Sequence, residues 1–218
     1  PLYLENIPFR FDTRGIIYNK RNHVYKVNVL SQKNQKIIDG DKENLISIGS
    51  VVESGNSIYF TASSYNEAGS MLDEKIIKKT GNNLKTIHSK GMWGKLFIFK
   101  DELYGIGLNN RFHWPTNTSI HQIKDTGKTK ILYPDLDRPI TNVKCVDNFM
   151  YILYEDSGKQ LLSRGDGVGL EKLIDEQITI SDYEIESGKI SVIANSFSKQ
   201  DEVYELEDGK LNKTSKTN

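Results

Sequence analysis

Four histidines (His23, His88, His113 and His121) and one cysteine (Cys145) are the residues of this 218-residue chain best suited to catalysis or metal binding. A serine hydrolase would need a nucleophile on a sharp strand-to-helix turn, Gly-x-Ser-x-Gly, which lifts the hydroxyl clear of the backbone. No such pentapeptide occurs, and Ser63, Ser64 and Ser119 stand in strand-like or loop contexts without a flanking glycine pair. No two histidines have the spacing of a zinc site. One cysteine allows neither an intrachain disulfide nor a thiolate cluster. His23, His88 and His121 fall on predicted strands or their edges and are expected to be structural. Cys145, in "TNVKCVDN" on a predicted innermost strand, is expected to be a small core residue. No catalytic residue, metal or cofactor is therefore expected.

His113 stands apart, in the irregular stretch "NNRFHWPTNT" (Asn109–Thr118) beside Arg111, Phe112 and Trp114. Arginine and aromatic residues on a loop are typical binding anchors. The plainer alternative has Phe112 and Trp114 tucked against the scaffold, with Pro115 fixing the turn. Other short motifs carry less. Asn117-Thr118-Ser119 and Asn212-Lys213-Thr214 match the N-glycosylation acceptor, a pattern common by chance. "GVG" at Gly167–Gly169 lacks the following helix that a phosphate loop requires.

Charge is balanced, with 29 basic and 29 acidic residues, so neither a nucleic-acid nor an anionic-lipid footprint is present. No run approaches the roughly 18 apolar residues of a spanning helix, and mean hydropathy is −0.52. Neither nucleic acid nor membrane is an expected partner. The sparing use of cysteine fits a reducing compartment, so a cytoplasmic location is expected. The start at Pro1, without an initiator methionine or signal-type stretch, leads us to expect a piece of a larger protein.

The elements that would position any site are short strands, rich in β-branched and aromatic residues and each preceded by a turn. "SIYFTAS" (Ser57–Ser63), "ELYGIGL" (Glu102–Leu108), "FMYILYE" (Phe149–Glu155) and "KISVIAN" (Lys189–Asn195) place Ile58, Leu103, Met150 and Ile190 at intervals of 45, 47 and 40 residues. A second marker keeps step: Gly81, Gly127, Gly167 and Gly209 are spaced by 46, 40 and 42. Each period holds four strands, for example "WGKLFIFK" (Trp93–Lys100), "ELYGIGL", "SIHQIK" (Ser119–Lys124) and "KTKILY" (Lys128–Tyr133). Four strands every 40–50 residues is the pattern of β-propeller blades. A β-sandwich would not repeat one meander so evenly, and no long stretch has helical periodicity.

The expected fold is thus all-β: a partial propeller of four complete blades, 45–90, 91–137, 138–178 and 179–218. Half a blade precedes them at 21–44, with strands "HVYKVNV" and "QKIID", and an inter-strand insertion at 1–20. The parent ring would be larger, with about seven blades. An open ring leaves strand edges that invite self-association. Three connections between second and third strands look long: Ser64–Met71, Asn109–Thr118 and Asn195–Gln200. The 1–20 segment belongs to the same class. One face is therefore expected to be elaborated, carrying Arg10, Asp12 and Arg14 together with Arg111, His113 and Trp114 as candidates for substrate or domain contact.

Two further stretches carry a resemblance. "ISVIANSFSKQDEVYELEDGKLNKTSKTN" (Ile190–Asn218) resembles the last propeller blade of the prolyl oligopeptidase family, in its acylaminoacyl-peptidase branch. Glu202, Tyr204, Gly209, Thr214 and Asn218 stand where that blade has its acidic residue, tyrosine, turn glycine, threonine and border asparagine. "IPFRFDTRGIIYNKRNHVYKVNV" (Ile7–Val29) is similar to the family's insertion within a middle blade, with its aromatic-Asp-x-x-Gly core and the following His-apolar-Tyr strand. The family's Ser-Pro-Asp-Gly turns survive only as "VESGNS" and "IESGKI", and no proline precedes Asp201. The resemblance implies a non-catalytic propeller that covers a C-terminal α/β-hydrolase domain and gates the passage of peptide substrate to it. The alternative is a stand-alone propeller acting as a protein-interaction scaffold. A propeller glycosidase ranks last, because no inward pair of carboxylates recurs.

Overall fold

The computed structural model describes residues 10–11, 15–16, 21–65, 72–110, 116–174 and 178–214. Every regular element among them is a β-strand. Two strands of two residues, β1 (Arg10–Phe11) and β2 (Gly15–Ile16), form a ladder with Arg10 opposite Ile16. A second two-stranded sheet joins β3 (Val24–Val27) to β4 (Asn34–Ile38). Four antiparallel sheets of four strands follow, each paired in chain order. The first is β5 (Ser47–Ser54), β6 (Ser57–Tyr65), β7 (Leu72–Thr80) and β8 (Asn83–His88). The second is β9 (Met92–Phe99), β10 (Glu102–Leu108), β11 (Ser119–Ile123) and β12 (Thr129–Leu132). The third is β13 (Ile140–Val146), β14 (Phe149–Asp156), β15 (Lys159–Gly165) and β16 (Leu170–Lys172). The fourth is β17 (Thr179–Glu186), β18 (Lys189–Ser196), β19 (Lys199–Glu207) and β20 (Lys210–Lys213). The fold is the partial β-propeller that the strand period implies.

Turn chemistry explains why the meander repeats. The tight hairpins Ser157–Gly158, Ser187–Gly188 and Asp208–Gly209 all have positive φ at both central residues, 52° and 76°, 50° and 79°, 48° and 75°. This is the turn whose twist matches that of the flanking strands. The β9–β10 hairpin does the same with Lys100 and Asp101, at 49° and 60°, which is why its sequence carries no glycine signal. The spaced glycines Gly81, Gly127, Gly167 and Gly209 all have positive φ, each in a third-to-fourth-strand turn.

The chain divides into two compact units, Pro1–His113 with Ile123–Thr129, and Trp114–Gln122 with Lys130–Asn218. In the first unit one cluster packs Ile38 and Leu45 against Phe60, Ala62 and Ile77. A second packs Ile76 and Ile87 against Trp93, Leu96, Leu103 and Ile123. In the second unit one cluster joins Tyr151, Leu153, Leu162 and Ile174 to Ile180, Tyr183, Ile185, Ile190, Val192 and Ala194. The β14 sequence "FMYILYE" is apolar almost throughout and buried at five successive positions, as expected of a strand covered on both faces. β18 alternates, with Ile190, Val192 and Ala194 buried between exposed neighbours, the pattern of a strand with one covered face.

Two expectations are corrected. Asn195–Gln200 is not a long connection: β18 runs to Ser196 and β19 begins at Lys199, leaving the two-residue turn Phe197–Ser198. Its polar composition mimics a loop, but Asn195 Nδ2 bonds to Asp201 Oδ1 (2.6 Å) and Ser181 Oγ (3.3 Å), so these side chains are satisfied within the sheet. Cys145 is half-buried on β13, not enclosed in the core.

Candidate functional site

Arg10 lies on β1 by its backbone. Its side chain, and the candidates Asp12, Arg14, Arg111, His113 and Trp114, lie outside the described residues. What the structure does give is the support on either side of the Asn109–Thr118 connection. In the first unit the Asn109 carbonyl lies 3.1 Å from His88 Nε2, and its amide Nδ2 donates to Thr129 Oγ1 at 3.4 Å. In the second, Asn117 Nδ2 donates to Asp137 Oδ1 at 2.9 Å and to the Asp137 carbonyl at 3.3 Å. Each described end is thus held by hydrogen bonds within its own unit.

Polar side chains also fasten neighbouring sheets together, a role that strand patterning does not reveal. Ser50 Oγ accepts from the Leu96 amide at 2.8 Å, joining β5 to β9. Glu74 Oε2 accepts from the Trp93 amide at 2.8 Å. Asp125 receives Lys78 Nζ at 2.5 Å and offers its carbonyl to Lys85 Nζ at 3.2 Å. In the second unit, Tyr183 Oη donates to the Tyr151 carbonyl at 2.6 Å, and Tyr133 Oη accepts from the Gly167 amide at 2.8 Å.

Burial pushes the Glu74 carboxyl above its ordinary value of 4.5, while the Trp93 N–H only partly offsets this. A raised carboxyl makes the folded state the better proton binder, so its stabilising share is complete below pH 4.5 and is lost as pH rises through the folded value. Glu74→Gln keeps an oxygen for the Trp93 amide and removes the charge. Its Tm relative to wild type should therefore be more favourable at pH 7 than at pH 4. A difference that does not change with pH would contradict this.

One group of potential metal ligands occurs among the described residues: His23, Asp39 and Asp41, with ligand atoms within 4.8 Å of one another. His23 Nδ1 lies 3.4 Å from Asp39 Oδ1, and Nε2 lies 3.7 Å from Asp41 Oδ2. The Gly40 N–H donates to His23 Nδ1 at 3.1 Å, so the lone pair a cation would use is already engaged. Asp39 Oδ2 is in turn 3.5 Å from Lys36 Nζ. The cluster acts as a knot between the start of β3 and the turn after β4. As for nucleophiles, buried Ser64 Oγ has no hydrogen-bond partner among the described residues and Ser163 Oγ bonds to Tyr154 Oη at 3.3 Å. Neither is hydrogen-bonded to a histidine among the described residues.

No protein-family model and no curated protein matches the sequence. Solved structures do match the fold. Pyrococcus horikoshii acylaminoacyl peptidase superposes with a TM-score of 0.74 over 99% of this chain, at 12% identity. The β-propeller domain of the Trilobed protease from Pyrococcus furiosus gives 0.62 over 94% of this chain and 77% of its own length, at 10% identity. The tricorn protease gives 0.52 over 89% of this chain and 21% of its own, at 16% identity. This chain spans about a third (34%) of the acylaminoacyl peptidase. At these identities the shared property is the propeller fold.

Proposed function

We propose that this chain is the non-catalytic propeller domain of a cytoplasmic serine peptidase of the prolyl oligopeptidase type, in its acylaminoacyl-peptidase branch. It would cover an α/β-hydrolase domain of the same polypeptide and control which peptides reach it. The observation that supports this reading is the overlap of 99% of the chain with an acylaminoacyl peptidase and 94% with a protease propeller domain. The resemblance at Ile7–Val29 and Ile190–Asn218 points the same way. The test is to incubate the chain with acyl-peptide and aminoacyl-ester substrates. No turnover is expected, and turnover above background would overturn the assignment of chemistry to another domain.

In this reading the isolated chain also self-associates. Among the described residues the β3–β4 sheet has two strands where the following sheets have four, and unpaired strand edges invite pairing with other chains. Light scattering should show mass increasing with protein concentration. A constant monomer mass across the concentration series would contradict it.

A further inference from the structure

Two sheet faces, one on each compact unit, expose apolar residues among charges of opposite sign. The first belongs to the β3–β4 hairpin. Side chains alternate between the two sides of a strand. Val24 packs against the cluster of Phe60 and Ile77, and Lys26 Nζ reaches Glu53 Oε1 at 3.4 Å, so these two mark the covered side. Tyr25 and Val27 therefore point the other way and are exposed, with Lys36 and Asn34 opposite them. Beyond them the chain carries Val29 and Leu30, 85% and 98% exposed. The stretch Val24–Ile38 contains Lys26, Lys33 and Lys36 and no acidic residue.

The second face belongs to β17–β20. Ile190, Val192 and Ala194 of β18 are buried in the core, so Ser191 and Ile193 point away from it. Residues directly opposite on an antiparallel ladder share a face. Asp182, Ile193 and Val203 form one such row, and Glu184, Ser191, Glu205 and Asn212 form the next. Glu186 opposite Lys189 and Glu207 opposite Lys210 extend the face, and Asp201 lies two residues before Val203 on the same side. Lys189 bridges to Glu205 at 2.9 Å, and Lys144 reaches Glu184 from β13 at 2.8 Å. Six carboxylates against three lysines leave this face acidic. Ile193 and Val203 form an exposed apolar pair at its middle.

We propose that these two faces dock on each other between copies. The lysine-bearing β3–β4 hairpin of one copy covers the acidic face of β17–β20 of a second copy. Tyr25, Val27, Val29 and Leu30 would then meet Ile193 and Val203, removing apolar surface from water on both sides. The charges decide which faces meet. A contact between like faces would set lysines against lysines, or carboxylates against carboxylates, so the favoured contact is head-to-tail. The inference rests on the self-association proposed above, naming its surfaces, and is independent of the peptidase reading. It differs from edge pairing, which uses backbone N–H and C=O groups and is indifferent to these side chains.

The test is sedimentation of wild type and of two charge-reversed variants, Lys33→Glu/Lys36→Glu and Asp182→Lys/Glu186→Lys. Wild type should gain mass with concentration. Each variant alone should associate roughly tenfold or more weakly, because like charges then meet. An equimolar mixture of the two should recover the association, since each reversed face finds an opposite one. Lys128→Glu/Lys130→Glu makes the same change of net charge elsewhere and should associate as wild type does. Should a reversed variant not fold, Leu30→Ser at the exposed hairpin tip should still fold and associate more weakly. Unchanged association in the variants would overturn the face contact and leave edge pairing. A monomeric wild type would overturn both. Wild type that stays monomeric yet sediments with phosphatidylserine vesicles would overturn it too, and give the hairpin a lipid surface instead.

Discussion

Truncating Tyr183 to alanine should cost about 3–5 kcal/mol, the range for deleting a buried aromatic side chain. For a chain of this length that corresponds to a Tm lower by roughly 6–20 °C. Tyr183 is 2% exposed and lies in the cluster between the third and fourth four-stranded sheets. Its ring meets Lys144 Nζ at 4.9 Å from the centroid, and its hydroxyl donates to the Tyr151 carbonyl across the two sheets. Burial pushes the phenol well above its ordinary value, so it remains a donor throughout the neutral range. Tyr183→Phe separates packing from hydrogen bonding. It keeps the ring and should cost only about 0.5–1.5 kcal/mol, the net worth of one hydrogen bond. Thermal unfolding of both variants checks the ordering; equal losses would mean that the ring contributes nothing beyond its hydroxyl.

Substituting Gly107 with alanine should be comparably damaging, by a different route. Gly107 lies at the irregularity where the β9–β10 register shifts between Ile106 and Gly107. A Cβ there would sit 2.1 Å from the Met92 carbonyl oxygen and 3.0 Å from Trp93 Cα. These are backbone atoms of the partner strand and cannot swing aside as a side chain would. Overpacking of this kind costs typically about 1–3 kcal/mol and sometimes more, and here the ladder must open to relieve it. The loss should appear in thermal unfolding and as faster amide hydrogen exchange along β9 and β10. By contrast, a Cβ at Gly158 meets nothing within 4 Å. Its φ of 76° still favours glycine, so Gly158→Ala should show a smaller loss, arising from backbone strain alone. Equal effects at the two positions would contradict the close-approach argument.

The strands were legible because each carries its signal locally. "FMYILYE" and "ELYGIGL" are short apolar runs bounded by turn residues, and Gly81, Gly127, Gly167 and Gly209 mark turns that need positive φ. Asn195–Gln200 reads as a loop because asparagine and serine look the same in a loop and in a strand where Asn195, Ser181 and Asp201 bond to one another. The fastenings between sheets were not legible at all. Ser50 meets Leu96, Glu74 meets Trp93, and His88 meets Gly127, pairs separated by 46, 19 and 39 residues. Nothing in the local sequence tells a serine that binds a distant backbone amide from one facing water. His88 was expected to be structural by its place on a strand, and its two carbonyl partners give that role a specific form.

The proposed function places the chemistry in another domain of the same polypeptide. Sequencing the reading frame downstream of Asn218 tests it most directly. An α/β-hydrolase pattern containing Gly-x-Ser-x-Gly at a strand-to-helix turn is expected there. A stop codon directly after Asn218 would contradict it and favour a stand-alone interaction scaffold.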